Sequence, residues 1–277
     1  CSKLLWHLYN AKELLPPVDA STQAIFDQGH QIGQLAKSLF PGGIEIAGDH
    51  ADFSSLFRNT AEALVHRRPV FEGTFRYRDG FCRVDVLVPV RGKAGTAMTP
   101  RKDGGKISRS DLPASRRPIL LSRSDILLSR PVTQAGAATA AKDENGLWDI
   151  VEVKSSTSVK EVNLHDLALQ RYVVEGSGVK IRKCVLMHIN NEYVRRGEVQ
   201  PEELFVQEDV TEQVEELLGS VEGNLKSMMS VIRSQRSVDA DIGPHCGDPY
   251  NCPLIPVCWK HVPADSPLSL YRFSKAK

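Results

Sequence analysis

Glu152 and Lys154 stand two apart in Trp148-Asp149-Ile150-Val151-Glu152-Val153-Lys154-Ser155-Ser156-Thr157, a stretch that reads as a buried, β-branched strand. Residues two apart on a strand share a face, so the carboxylate and the ammonium project together. Upstream, Arg83-Val84-Asp85-Val86-Leu87-Val88 is a second β-branched run with one acid inside it. Asp85 and Glu152 offer the hard oxygen ligands that Mg²⁺ takes. Lys154 would then position or polarise an attacking water and help neutralise phosphate charge. The plainer alternative is a solvated edge face, where Glu and Lys commonly occur together. Apolar residues flank both acids, which points instead to inner strands, where unpaired charge is expensive.

A second chemical group lies in the tail, His245-Cys246-Gly247-Asp248-Pro249-Tyr250-Asn251-Cys252-Pro253-Leu254-Ile255-Pro256-Val257-Cys258. Three cysteines spaced C-x5-C-x5-C among Gly and Pro turns suit metal ligation better than core packing. Cys1 is the candidate fourth thiolate, with His245 and His261 as rivals. Four cysteines suit either Zn²⁺ or an iron–sulfur cluster. Cys82 and Cys184 fall inside apolar strand runs and read as core residues.

The elements that must position these groups follow from the pattern. Ser21 to Leu39 is a helix by the spacing of Ile25, Ile32, Leu35, Ala36 and Leu39, and Pro41-Gly42-Gly43 ends it. His30 lies within that helix; a lone helical His is more often a surface or core-edge residue than a ligand. Phe53 to Val65 reads as a short helix. Val70 to Tyr77 alternates as a strand, turns at Arg78-Asp79-Gly80, and pairs with Phe81 to Val90. Glu72 would then lie beside Asp85, either as a further carboxylate near a metal or as a cross-strand partner of Arg83. Val162 to Glu175 is helical and carries Gln170 and Tyr172. Lys183 to Ile189 is a buried strand, Leu204 to Val206 a short one, and Thr211, as N-cap, opens a helix to Arg233.

Residues 91–147 interrupt this order. The segment is rich in Gly, Ala, Ser, Pro and Arg, which predicts an exposed, partly disordered insertion with only Pro118 to Leu128 able to order itself. Its basic excess could touch a nucleic-acid backbone, although a solvated loop is the simpler reading.

The chain has 277 residues, 41% hydrophobic and 25% charged, enough for one large domain, or two modest ones, with a core. The reading is a single domain over 1–277, with the 91–147 insertion and a Cys segment at 244–263 closed by Cys1. A formal charge of +1 gives no global pull towards nucleic acid, so phosphate attraction must be local. No apolar run approaches a membrane span, and the P-loop pattern is absent. Cys1 could be the first residue of a lipid-anchored protein. It runs directly into Leu4, Leu5, Trp6, Leu8 and Tyr9 without a polar tether, which favours a trimmed fragment in a cytoplasmic setting.

In this order, His30, Glu72, Asp85, Glu152-Val153-Lys154 and Gln170, with one Cys first and three last, resemble the RecB-type branch of PD-(D/E)XK nucleases. That branch includes AddB and the CRISPR-associated exonucleases with an iron–sulfur cluster. The stretches CSKLLW, EVKSSTSVK, DLALQRYVV and HCGDPYNCP are similar to a bacterial family of nuclease-like proteins. The resemblance covers nearly the whole chain except residues 91–147. It implies an α/β fold, a restriction-endonuclease-like mixed central sheet flanked by helices, and Mg²⁺- or Mn²⁺-dependent hydrolysis of phosphodiester bonds, with DNA as the expected substrate and a helicase or other repair or defence protein as a partner. It further implies that His30, Asp85, Glu152 and Val153 form the metal shell and that Glu72 and Gln170 join Asp85, Glu152 and Lys154 in the active site. Cys1, Cys246, Cys252 and Cys258 would hold a [4Fe-4S] cluster clamping the two termini, with Zn²⁺ as the alternative. Relatives carry Gln and Tyr four apart, whereas Gln170 and Tyr172 are two apart; the gap between Asp85 and Glu152 is also longer, so the insertion must loop out. The rival class is a non-catalytic nucleic-acid-binding subunit that retains the fold.

Overall fold

The computed structural model describes residues 1–18, 20–48, 52–90, 146–247, 251–263 and 265–266. The chain divides into two compact units, residues 20–221 and residues 1–19 with 222–277. The bulk of the predicted insertion, with Pro118 to Leu128, lies outside the described residues; Leu147 already opens a strand.

The larger unit is an α/β layer structure around a mixed six-stranded sheet. Its strands are β1 (Ile44–Glu45), β2 (Val70–Tyr77), β3 (Gly80–Pro89), β4 (Leu147–Val153), β5 (Lys180–Ile189) and β6 (Phe205–Asp209), adjacent in that order. The β1/β2 and β4/β5 pairs are parallel and the other three antiparallel. Between β4 and β5 the chain crosses over through α4 (Glu161–Gly176), as a parallel pair requires. Helix α2 (Ala20–Lys37) brings Ala36 to one face of the sheet, into a core with Phe71, Val86, Val151, Val153 and Met187. Glu152, between Val151 and Val153, therefore turns to the opposite face, where α4 supplies its partner Gln170.

Helix α4 is held in register at its far end. A Cβ on Gly176 would lie 2.2 Å from the Tyr77 ring, so only glycine lets β2 approach there. The Tyr77 and Tyr172 rings meet edge-on at 5.3 Å in the same place. Helix α3 (Phe53–Val65) is capped by the Asp52 carboxylate, which accepts from Ser55 N, and packs on β2. Thr211 is not the cap predicted for α6 (Thr211–Ile232). It lies in the first turn, where its hydroxyl accepts from Cys184 N and its own N–H donates to the Asp209 carboxylate.

The β3–β4 pairing closes although residues 91–145 intervene. Pro89 stands opposite Trp148, and Val90 N donates to Leu147 O. Arg67, just past the end of α3, adopts a left-handed backbone (φ +50°) and donates to Val90 O at 2.9 Å and Leu147 O at 3.1 Å. Its guanidinium also lies 4.7 Å from the Trp148 ring centre. Among the described residues, Arg67 and the Val90–Leu147 pairing hold the two ends of the segment together. Replacing residues 91–145 by an Asn-Gly turn is expected to leave the sheet intact and the melting temperature within about 5 °C. Circular dichroism and a thermal melt check this; loss of cooperative melting would place the segment in the core.

The smaller unit contains α1 (Ser2–Asn10), 3₁₀ turns at Lys12–Leu14 and Pro244–Cys246, the end of α6, and α7 (Ile255–Cys258); α5 (Pro201–Leu204) belongs to the larger unit. Trp6 Nε1 donates to Ser234 O and Asn10 Nδ2 to Ile232 O, both at 2.9 Å, tying α1 to the C-terminal part of this unit. Among the described residues, no helix is long and apolar enough to cross a membrane.

Candidate functional site

Two neighbouring strands and one helix build a buried charged cluster. The β3–β4 register pairs Val86 with Val151, and one step further brings Asp85 opposite Glu152. Both are buried, at 2% and 1% exposure. Asp85 Oδ2 accepts from Val153 N at 2.9 Å, so a strand-edge amide fixes that carboxylate. Glu152 Oε1 accepts from Lys154 Nζ at 2.6 Å and Oε2 from Gln170 Nε2 at 2.8 Å. As the i, i+2 spacing predicts, Glu152 and Lys154 meet on one face.

The structure adds a fourth charge. Lys154 Nζ also donates to Asp166 Oδ2 at 2.8 Å, and the Asp166 side chain is 9% exposed. Asp166 precedes Gln170 by four residues on α4, so the two share a helical face and grip the Glu152–Lys154 pair from one side. Sequence reading passed over Asp166, although the Asp-x-x-x-Gln spacing on a predicted helix was the signal that could have found it.

The electrostatics follow from burial. Glu152 is pushed up to about 8, first by desolvation and then by the charge of Asp85; Lys154 opposes the rise without cancelling it. Burial alone would lower Lys154, but the charges of Glu152 and Asp166 outweigh it and keep the ammonium protonated. Cys82, buried and donating weakly to Gln170 O, has its thiol raised by burial and then by Asp166 and Glu152, so it stays neutral beside the acids. Gln170 is 1% exposed, and its Oε1 has no partner among the described residues. Turning that amide over would present Oε1 to a protonated Glu152, so one glutamine can serve either state of the acid. Gln170→Leu, which keeps the volume and removes the donor, is expected to cost about 1–3 kcal/mol, read from denaturant unfolding at pH 7.

Other predicted site residues stand elsewhere. Glu72 follows the cross-strand reading: Oε1 lies 3.1 Å from Lys37 Nζ and Oε2 3.6 Å from Arg83 Nε. Its backbone is left-handed (φ +57°) in the middle of β2, a strained conformation for a non-glycine residue, at the point where the β2–β3 ladder would pair it with Asp85. His30 is exposed, whereas Ile32, Gly33 and Ala36 of the same helix turn towards the core. Val153 places its side chain in the apolar core and its N–H on Asp85. Among the described residues, no three His, Cys, Asp or Glu side chains are grouped so as to hold a metal ion, either around Asp85 and Glu152 or around the four cysteines described below.

In the smaller unit, Cys1, Cys246, Cys252 and Cys258 line one pocket together with His245, Asp241 and Lys3. All four thiols are free, Cys246 buried and Cys1 exposed. Cys82 and Cys184 are buried in β3 and β5, as their strand positions predict.

No protein-family model matches the chain, and no curated protein matches it.

Proposed function

We propose that the chain is a metal-dependent nuclease with a restriction-endonuclease-like core, hydrolysing phosphodiester bonds in DNA. The observation that carries this reading is the convergence of buried Asp85 and Glu152, from adjacent strands, with Lys154, in a core where unpaired charge is costly. Asp85 and Glu152 are the residues that would hold a divalent cation. They suit one: burial and mutual repulsion raise Glu152 to about 8, and a dication relieves both effects. When bound, Mg²⁺ or Mn²⁺ supplies charge neutralisation at the phosphoryl group and activation of water. The Val153 N–H holds Asp85 in place, and Gln170 orients Glu152. Lys154 carries the positive charge that meets the attacking water and the developing charge on phosphate.

The four cysteines that line one pocket are the residues that would hold a [4Fe-4S] cluster or Zn²⁺ once drawn together, and the likeness to cluster-bearing nucleases favours the former. Trp259, directly after Cys258, has a buried indole N–H without a partner among the described residues, a donor of the kind a cluster sulfur accepts.

Cleavage of labelled single- and double-stranded DNA with Mg²⁺ or Mn²⁺, beside Lys154→Ala, tests the reading. Metal-dependent cleavage that falls about 10²–10³-fold in the variant is the expected result. DNA binding without cleavage by either protein would make this chain a binding subunit of a larger repair or defence assembly. Activity unchanged by the substitution would place the site elsewhere.

A further inference from the structure

We propose that Asp166 is a positioning residue that keeps the Lys154 ammonium over the carboxylate pair while Glu152 is turned to a cation. The inference rests on the nuclease reading and concerns how its lysine is held. In the structure Lys154 Nζ is shared between Glu152 Oε1 at 2.6 Å and Asp166 Oδ2 at 2.8 Å. Each Glu152 oxygen already accepts one hydrogen bond, Oε2 from Gln170. A dication bound by Glu152 competes with these contacts for the same carboxylate charge, and it repels the ammonium directly. Lys154 has a long, rotatable stem and is 23% exposed, so without a second anchor it would swing towards solvent. Asp166 is that anchor. It approaches from α4 rather than from the strand, it is itself nearly buried, and its helix is fixed by the Gly176–Tyr77 contact. Glu152 is then free to change partners without releasing the lysine.

The experiment uses the full chain, with isotope-labelled lysine ammonium groups observed by NMR with and without saturating Mg²⁺. In the wild type and in Asp166→Glu, the Lys154 ammonium signal should persist in both states. In Asp166→Asn it should persist without Mg²⁺, when Glu152 still holds the lysine, and broaden away with it. On DNA, Asp166→Asn should lower kcat about 10–100-fold with KM and Mg²⁺ affinity little changed, Asp166→Glu should recover most of that loss, and adding Asp166→Asn to Lys154→Ala should cost nothing further. Loss of the wild-type signal on Mg²⁺ addition would overturn the proposal, and that arm requires no variant to fold. So would a signal that survives in Mg²⁺-loaded Asp166→Asn, or an equal loss of activity in the Lys154→Ala background. A protein that takes up no Mg²⁺ by calorimetry fails the underlying nuclease reading instead, and the lysine anchor with it.

Discussion

Glu152→Gln is expected to abolish cleavage and to stabilise the protein at the same time. On the activity side, the substitution removes one of only two carboxylates proposed to hold the cation, so the loss should exceed the roughly 100-fold typical of outer-shell changes. On the stability side, the folded chain holds Glu152 near 8 against an ordinary value of 4.5, with burial as the first cause and Asp85 as the second. Between those values the unfolded chain binds fewer protons than the folded one. Stability is therefore full below about pH 4.5 and is lost as pH rises towards 8, by an amount on the order of several kcal/mol. Glutamine carries no charge to desolvate, so the variant should show a flatter stability profile and a higher unfolding free energy at pH 8. Mg²⁺ should raise the melting point of the wild type at pH 8 and leave the variant unmoved, because a ligand stabilises only the state that binds it. Urea unfolding across pH 4.5 to 8.5, with and without Mg²⁺, reads all of this. A wild type whose stability rises over that window would mean that Glu152 is ionised at little cost, and that the carboxylate pair is not strained in favour of a cation.

This balance explains which parts of the site could be read from sequence. A strand of period two makes Glu152 and Lys154 neighbours whatever else the chain does, and the apolar residues around Asp85 fix β3 beside it. The Asp79-Gly80 turn set the β2–β3 pairing for the same local reason, and the strand and helix limits around the site fell within a few residues of those expected. The expected strand at residues 148–157 stops at Val153, although contacts with β5 continue beyond it: Lys154 N donates to Met187 O and Ile189 N to Ser156 O before the chain enters α4. What escaped was set by tertiary approach. His30 has helical spacing that suits either surface or core, and the packing of α2 leaves it exposed. The left-handed backbone of Glu72 has no signature in residue type, since glutamate has no preference for that region. Asp166 was hidden by its ordinary appearance on a helix, and becomes informative only once Gln170 is known to face Glu152.

Cys252→Ser is expected to unfold the smaller unit while the larger one keeps its melting transition. The reason lies in how little apolar surface the smaller unit buries: Ala11, Leu225, Met229, Ile232, Cys246 and Leu254 make up its buried hydrophobic residues among those described. Cores as small as the one these described residues form commonly rely on a metal or on disulfides as well. The six cysteines are free, and the proposed staple is a metal group at the four-thiol pocket. Metal binding in small thiolate domains is worth about 10–16 kcal/mol of folding free energy, so losing one ligand can remove more than the unit has. Anaerobically purified wild type should be brown if the group is an iron–sulfur cluster, or colourless with stoichiometric zinc if it is not. Cys252→Ser should lose that group and become sensitive to protease between residues 222 and 263. An unchanged protease pattern together with an unchanged melting curve would separate the cysteines from stability, and the pocket would then have to be read as a redox or binding site, with His245, which lines it too, as the next ligand to replace.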